Sequence, residues 1–439
     1  MKPTDAATEP LEPLFPPASR ARRRLKATET ERDQIARLEK AMVEATSRHG
    51  FAETTVAELV GLAGVSKTTF YEHFESKQDC FLATFDAIIE AAMKRVTETF
   101  RKPGNFRERL TRALSTFMEV AADEPAAASL VAVDSLTLGK VGIAHRERGS
   151  KAFEVMVRQS FDHSPATVEV SDTTVRAIVA GIRGVVYRNL RAHQADRLPD
   201  VVDELVSWAL SYQQEPGPMA LRALGAAGRA QNGTGVSSVD PPWSEPPDSD
   251  LSRRNLTQRD RIVRGAAKVV VERGYESLSI PAISGAAGVS NQTFYEHFQS
   301  KQDALLAAFR ALADEALRAA DSAFSAEKEW PEAMGTGVQA LLRYVADNKL
   351  FSRLAFFELP MAGPIALDEA DEVLDRFTAF LQEGQLPEQF GGPAGTTTLH
   401  AIATGIWATI QHQLFHGDAE SLPTLAPQIA WITLAPTNA

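Results

Sequence analysis

The chain has 439 residues, 44% of them apolar, which is more than one ordinary core holds and points to two to four globular domains. A formal charge of -11 excludes a generally basic surface, so any contact with nucleic acid has to come from local patches, and a single cysteine, Cys80, excludes a framework of intrachain disulfides. The opening MKPTDAATEPLEPLF lacks the basic, apolar and cleavable order of a secretion signal, and no apolar run approaches the roughly 18 to 20 residues of a bilayer span, so the expectation is a cytoplasmic protein.

In chain order, residues 1–29 hold prolines and the basic cluster Arg20, Arg22, Arg23, Arg24 and Lys26, and read as a disordered arm. Residues 30–79 read as a small helical domain. Thr55-x-x-Glu58 is a capping box that opens a short helix, Gly64 supplies a turn, and Ser66 caps a second helix. On that second helix Phe70 and Phe74 face inward with Val65, which leaves Lys67 with Tyr71, and Thr69 with His73, as outward pairs four residues apart. Ser76 and Asp79 form the next capping box, yet Lys77 stands in the first turn, where a cation opposes the helix dipole; an external anion, such as a DNA phosphate, would explain it.

Apolar residues at spacings of three and four run through 80–98, 106–121, 173–191 and 200–212 with no alternating strand, so residues 80–213 read as a second, helical domain and the fold class as all-α. Ala177, Ala180, Gly181 and Gly184 fall on one helical face, and a mid-helix Gly costs about 1 kcal/mol relative to Ala, so the stripe implies close helix packing. Residues 214–254, with GPM, NGTG and DPPWSEPPDSD, read as a flexible linker with an r.m.s. reach near 35 Å.

Beyond it the chain repeats itself. At an offset of 224, Gly61–Asp79 and Gly285–Asp303 share fifteen of nineteen residues without a gap, and the register continues through Asp123/Asp347, Leu130/Leu354 and Gly181-Ile182/Gly405-Ile406. Residues 255–303 therefore repeat the small domain and 304–439 the helical one. The period is too long for a solenoid and indicates two complete copies. The second stripe of small residues is Ala401, Thr404, Gly405 and Ala408.

AGVSKTTFYEHFESKQD and AGVSNQTFYEHFQSKQD, each preceded by a helix ending near Gly50 or Gly274, resemble the DNA-binding region of TetR-family transcriptional regulators. The resemblance implies a helix-turn-helix in each copy, with Lys67, Thr68 and Thr69, and Asn291, Gln292 and Thr293, facing bases. Thr55, Tyr71, His73 and Lys77, and Ser279, Tyr295, His297 and Lys301, would hold phosphates. It further implies dimerisation through the last two helices of each copy, here the two small-residue stripes, and release from operator DNA by a small-molecule effector. Local charge favours the second copy: residues 253–303 carry eight Lys or Arg against five Asp or Glu, whereas 31–79 carry six against nine, a deficit the basic arm would offset.

Enzyme motifs are missing. There is no HExxH, Walker loop, GxSxG or CxxC, the nine His are scattered, and neither a metal nor a cofactor is expected. Cys80, replaced by Ala304 in the second copy, reads as a small buried residue rather than a redox sensor. Phe351, Phe356, Phe357, Trp330 and Trp407 could line an effector pocket, though core packing is the commoner role of such residues.

Overall fold

The computed structural model describes residues 28–162, 169–232, 257–383 and 395–435, and these are helical, with no strand among them. The basic arm and the rest of residues 1–27 lie outside the described residues.

The first copy comprises α1 (Glu29–Glu53), α2 (Val56–Ala63), α3 (Lys67–His73), α4 (Lys77–Phe100), α5 (Phe106–Asp123), α6 (Pro125–Ala132), a 3-10 turn at Asp134–Leu138, α7 (Gly139–Asp162), α8 (Asp172–Arg191) and α9 (Val202–Ser211). After α10 (Pro218–Asn232), the second copy repeats the order as α11 (Gln258–Arg273), α12 (Ile280–Ala287), α13 (Asn291–His297), α14 (Lys301–Ser325), α15 (Trp330–Asp347), α16 (Lys349–Arg353), α17 (Pro364–Glu383), α18 (Thr396–His416) and α19 (Ala426–Leu434). The starts follow from local chemistry. Thr28, Ser66, Ser76, Thr257, Ser290 and Ser300 each accept a backbone N–H as N-cap. At Thr55 the hydroxyl takes the Glu58 N–H, and the Glu58 carboxylate, which the Thr55 backbone also helps to keep charged, bonds His49 at 2.9 Å.

Residues 214–254 are not simply a linker. Pro218–Asn232 forms α10, whose Ala220, Ala223, Ala226 and Ala227 are buried against α15 and α19, with Arg222 donating to both oxygens of Glu332 at 2.9 and 3.0 Å. The alanines of this helix make a flat face that α15 approaches closely: a Cβ on Gly335 of α15 would meet the backbone of Ala223 and Ala227. Against the expectation that no apolar run approaches bilayer length, Pro125–Phe161 contains an 18-residue window with a mean hydropathy of 1.4. It is no single rod, because Gly139 at φ +55° turns the chain between the 3-10 segment and α7.

Helices α8 and α18 cross in close contact, and α9 and α19 flank them. The contacts are reciprocal at the 224-residue offset. A Cβ on Gly181 would lie 2.5 Å from the Ala401 carbonyl, and one on Gly405 would lie 2.7 Å from that of Ala177. Glu204 on α9 accepts the Thr398 N–H (2.8 Å) and hydroxyl (2.9 Å) at the start of α18, while its counterpart Gln428 donates to the Thr174 hydroxyl (3.0 Å) at the start of α8. Glu147 of α7 reaches His412 and His416 on α18, and its counterpart Asp371 of α17 reaches Tyr187 and Arg191 on α8.

A candidate nucleic-acid interface and an internal cavity

The turn between α2 and α3 needs a left-handed residue, and Gly64 (φ +61°) and Gly288 (φ +65°) supply it. Arg37 on α1 clamps the turn by donating to the Ala63 carbonyl at 3.1 Å. Phe70 and Phe294 are fully buried, with Phe74 and Phe298 nearly so, and these rings anchor one side of α3 and α13. The opposite side is open. Lys67, Thr68 and Tyr71 are exposed on α3, as are Asn291, Gln292 and Tyr295 on α13, and the tyrosines, at 51% and 60% exposure, are among the few large rings left in solvent. Thr69 and Thr293 are half-buried, their hydroxyls bonded to those of Ser66 and Ser290 at 2.9 and 3.0 Å. His73 and His297 contact Gln34 (2.9 Å) and Gln258 (3.4 Å), so each imidazole is held by the first helix of its head. Thr55 and Ser279 are exposed caps of α2 and α12.

The lysines depart from expectation. Lys77 donates to the carbonyls of Phe51 (2.8 Å) and Ala52 (3.1 Å) and sits over the Phe51 ring, and Lys301 donates to the Leu278 carbonyl (2.8 Å). These cations in a helix's first turn are thus matched by backbone oxygens of the preceding segment. Burial holds the Lys77 ammonium below its usual range.

Each head is tied to its regulatory domain at an equivalent point. Gly50 and Gly274, at φ +80° and +82°, expose the next N–H, which bonds to a carboxylate 83 residues on: Phe51 to Asp134, and Tyr275 to Glu358 at 2.9 Å. Burial pushes Asp134 up to about 6 against the effect of that bond.

Beneath the first head lies a cavity of about 260 Å³ between α4, α5, α6, α7 and α8. Its wall is almost wholly apolar, with Phe85, Ile89, Phe117, Phe153 and Val157 among its lining, but Arg146 and Arg183 also face it. The equivalent space in the second copy is about 50 Å³, because Phe356 and Trp407 stack across it at 4.1 Å between ring centroids. Of the aromatics singled out by sequence, Phe351 also lines that remnant, while Phe357 stacks on Phe415 and Trp330 packs on the main core.

Reading by motif missed the arginine pair, and the signal that could have found it is the internal comparison: Arg183 aligns with Trp407, and Ala132 with Phe356. It also missed Glu147, His412 and His416, whose ligand atoms lie within 4.8 Å of one another. The histidines are four apart on α18, and the carboxylate comes from the other copy, so neither copy alone displays the group. Together they could hold a divalent cation, and here Glu147 accepts from both rings at 2.8 and 2.6 Å. Burial works to raise the Glu147 carboxyl, but the two histidines hold it below its usual range. Cys80 is fully buried, and burial raises its thiol far above the reactive range.

The sequence model of the bacterial regulatory proteins of the tetR family matches residues 40–84 and again 262–308, the two heads. HTH-type transcriptional regulator TcmR of Streptomyces glaucescens is 33% identical over 108 residues, 24% of this chain and 47% of the relative. HTH-type transcriptional activator FasR of Mycolicibacterium smegmatis is 26% identical over 99 residues, 23% of this chain and 45% of the relative. The chain thus spans about half the length of the curated relatives it matches. Among solved structures, the transcriptional regulator FadR from Bacillus subtilis in complex with stearoyl-CoA aligns with 40% of this chain and 98% of its own, at 16% identity and a TM-score of 0.38.

Proposed function

We propose, from a chain that belongs to the TetR family and carries the family's DNA-binding region twice, that it is an effector-released transcriptional repressor reading one operator with both of its heads. The observation that carries this reading is the reciprocity of the packing between copies. In a two-fold interface residue i meets j and j meets i, and the Gly181–Ala401 and Gly405–Ala177 contacts obey that rule within a single chain. The two regulatory domains would then stand as a dimer's halves do, an intramolecular pseudo-dimer with one head on each side.

The exposed faces of α3 and α13 support base and phosphate contact. Tyr71, His73 and Thr55, with Tyr295, His297 and Ser279, surround the base-facing residues, and the basic arm at residues 20–26 would add charge to the poorer head. Because Lys67-Thr68 stands where the other copy has Asn291-Gln292, the half-sites differ: Lys suits guanine, whereas Asn and Gln pair with adenine. The operator is an imperfect palindrome. The effector would enter the cavity of the first copy and, through α6 and Asp134, alter the seat of the first head.

Footprinting of the purified chain on DNA around its own gene tests the reading. Protection of two neighbouring, unequal half-sites is expected, and Tyr71→Ala with Tyr295→Ala together should abolish it. Loss of protection with Tyr295→Ala alone but not Tyr71→Ala would instead support DNA binding by the second head only, a reading favoured by that head's surplus of basic residues.

A further inference from the structure

The cavity of the first copy is faced by two guanidinium groups that form no ion pair among the described residues. Arg146 on α7 and Arg183 on α8 lie deep in the fold, and the partial surface each keeps opens on the cavity. Arg95 and Glu124, by contrast, are exposed at its rim. The Arg146 Nε is buried with no hydrogen-bond partner among the described residues, and Arg183 donates to the Ser150 hydroxyl at 2.6 Å, a neutral acceptor. The carboxylates that act on the pair are committed elsewhere, Glu147 to His412 and His416, and Glu154 to Lys151 at 3.1 Å. Burial, and then the neighbouring Arg183, both work against the charge on Arg146. A buried cation left without a partner is costly, and two side by side are more so, unless an anion joins them.

The second copy supplies the control. At the offset positions it has Ala370 for Arg146 and Trp407 for Arg183, and Phe356 for Ala132 fills the space. Both cations and the room for a ligand are lost together, which ties the arginines to an occupant of the cavity rather than to the fold that both copies share.

We infer that each chain binds one small molecule, in the first copy only, composed of an apolar body and a single compact anionic group such as a carboxylate, which is clasped by Arg146 and Arg183. Its service as the effector rests on the regulator reading above; its chemistry does not.

Calorimetric titration of the full chain with matched probes tests this: dodecanoate, dodecanol and dodecyltrimethylammonium, and an aromatic pair, naphthoate and naphthol. At least one acid should bind with a stoichiometry of one per chain and roughly ten- to a hundredfold more tightly than its alcohol, the range expected for charge-assisted hydrogen bonds. The ammonium probe should not bind. Arg146→Gln and Arg183→Gln should each erase most of the preference for acid over alcohol while leaving the alcohol's affinity in place, a result that also shows the variants fold. Ala132→Phe with Arg183→Trp, which writes the second copy's residues into the first, should abolish both. Equal affinity for acid and alcohol, two ligands per chain, or no binding by either acid overturns the inference. Footprints collected without ligand separate the two proposals: operator protection with no acid binding sinks this one alone, whereas acid binding without protection sinks the regulator reading and leaves the cavity's chemistry standing.

Discussion

Lys77 shows how a single position can be read correctly as unusual while an internal partner stays hidden. A cation in the first turn of a helix opposes the dipole, so the sequence alone asks for a compensating oxygen. The structure supplies two, the carbonyls of Phe51 and Ala52, exposed because α1 breaks at Gly50. The partner is brought close by the turn at Gly50, 27 residues earlier, and no local pattern announces it. The two roles give opposite signatures. Lys77→Met should cost about 1.5 to 3 kcal/mol in urea unfolding, the worth of a hydrogen bond from a charged donor, and leave the salt dependence of DNA binding unchanged. A phosphate-binding lysine would show the reverse, unaltered stability with the salt slope reduced by about 1. Tyr71 and Tyr295 differ from it in this respect, since their exposed rings have no such internal use.

At the level of elements, the small-residue stripes of α8 and α18 were visible in the sequence, but the polar rim around them was not. His400 on α18 is 5% exposed, and its Nδ1 accepts from Arg188 of α8 at 2.8 Å, while Arg188 also pairs with Asp375 of α17 at 2.5 Å. Burial, and then the nearby guanidinium, depress His400 to about 4. The folded state therefore binds this proton less readily than the unfolded chain, whose histidine titrates near 6.5. Above pH 6.5 the group contributes nothing to the pH dependence; as pH falls from 6.5 toward 4, the unfolded state gains a proton that the folded state refuses, and stability declines by on the order of 3 kcal/mol. Urea unfolding between pH 7 and 4 checks this, and His400→Asn should flatten that part of the profile. The apolar seam makes a separate demand. Gly181→Val would drive Cβ into the Ala401 carbonyl and the Trp208 ring, so we expect a loss of about 1 to 3 kcal/mol, typical of overpacking, and Gly405→Val should behave alike because its contact is the reciprocal one. If the stripe packed only within its own copy, the two variants would have no reason to match.

For the whole molecule, what the sequence revealed and what it hid divide along sequence separation. The heads were legible because their signals are local: an N-cap, a left-handed Gly and aromatic residues four apart, all within the span Gly64–Phe74. The duplication was legible because its register is unbroken. The cavity was not, since it is assembled from five helices and its two arginines sit in no motif; only their replacement by Ala370 and Trp407 marks them. Helix α10 was missed because the Gly, Pro and Ser of the surrounding stretch dominate its reading, while its buried alanines gain a meaning only when α15 is there to receive them.

The same arrangement makes a claim about assembly. In the proposed pseudo-dimer, the surfaces that a two-chain dimer would need are used inside one chain: α8 is covered by α18, Glu204 accepts the Thr398 N–H at the start of α18, Gln428 donates to the Thr174 hydroxyl at the start of α8, and Tyr212 donates across to the Ile432 carbonyl at 2.8 Å. Reopening that interface to admit a second chain would expose Gly181, Gly405 and their buried neighbours to water. Pairing within one covalent chain also needs no encounter between separate molecules. Light scattering across a hundredfold range of concentration should therefore return the mass of one chain throughout, and DNA titrations should fit a single chain per operator with a Hill coefficient near one. A mass that doubles with concentration, accompanied by steepening of the DNA isotherm, would mean that the reciprocal contacts form between chains instead, with four heads in each assembly.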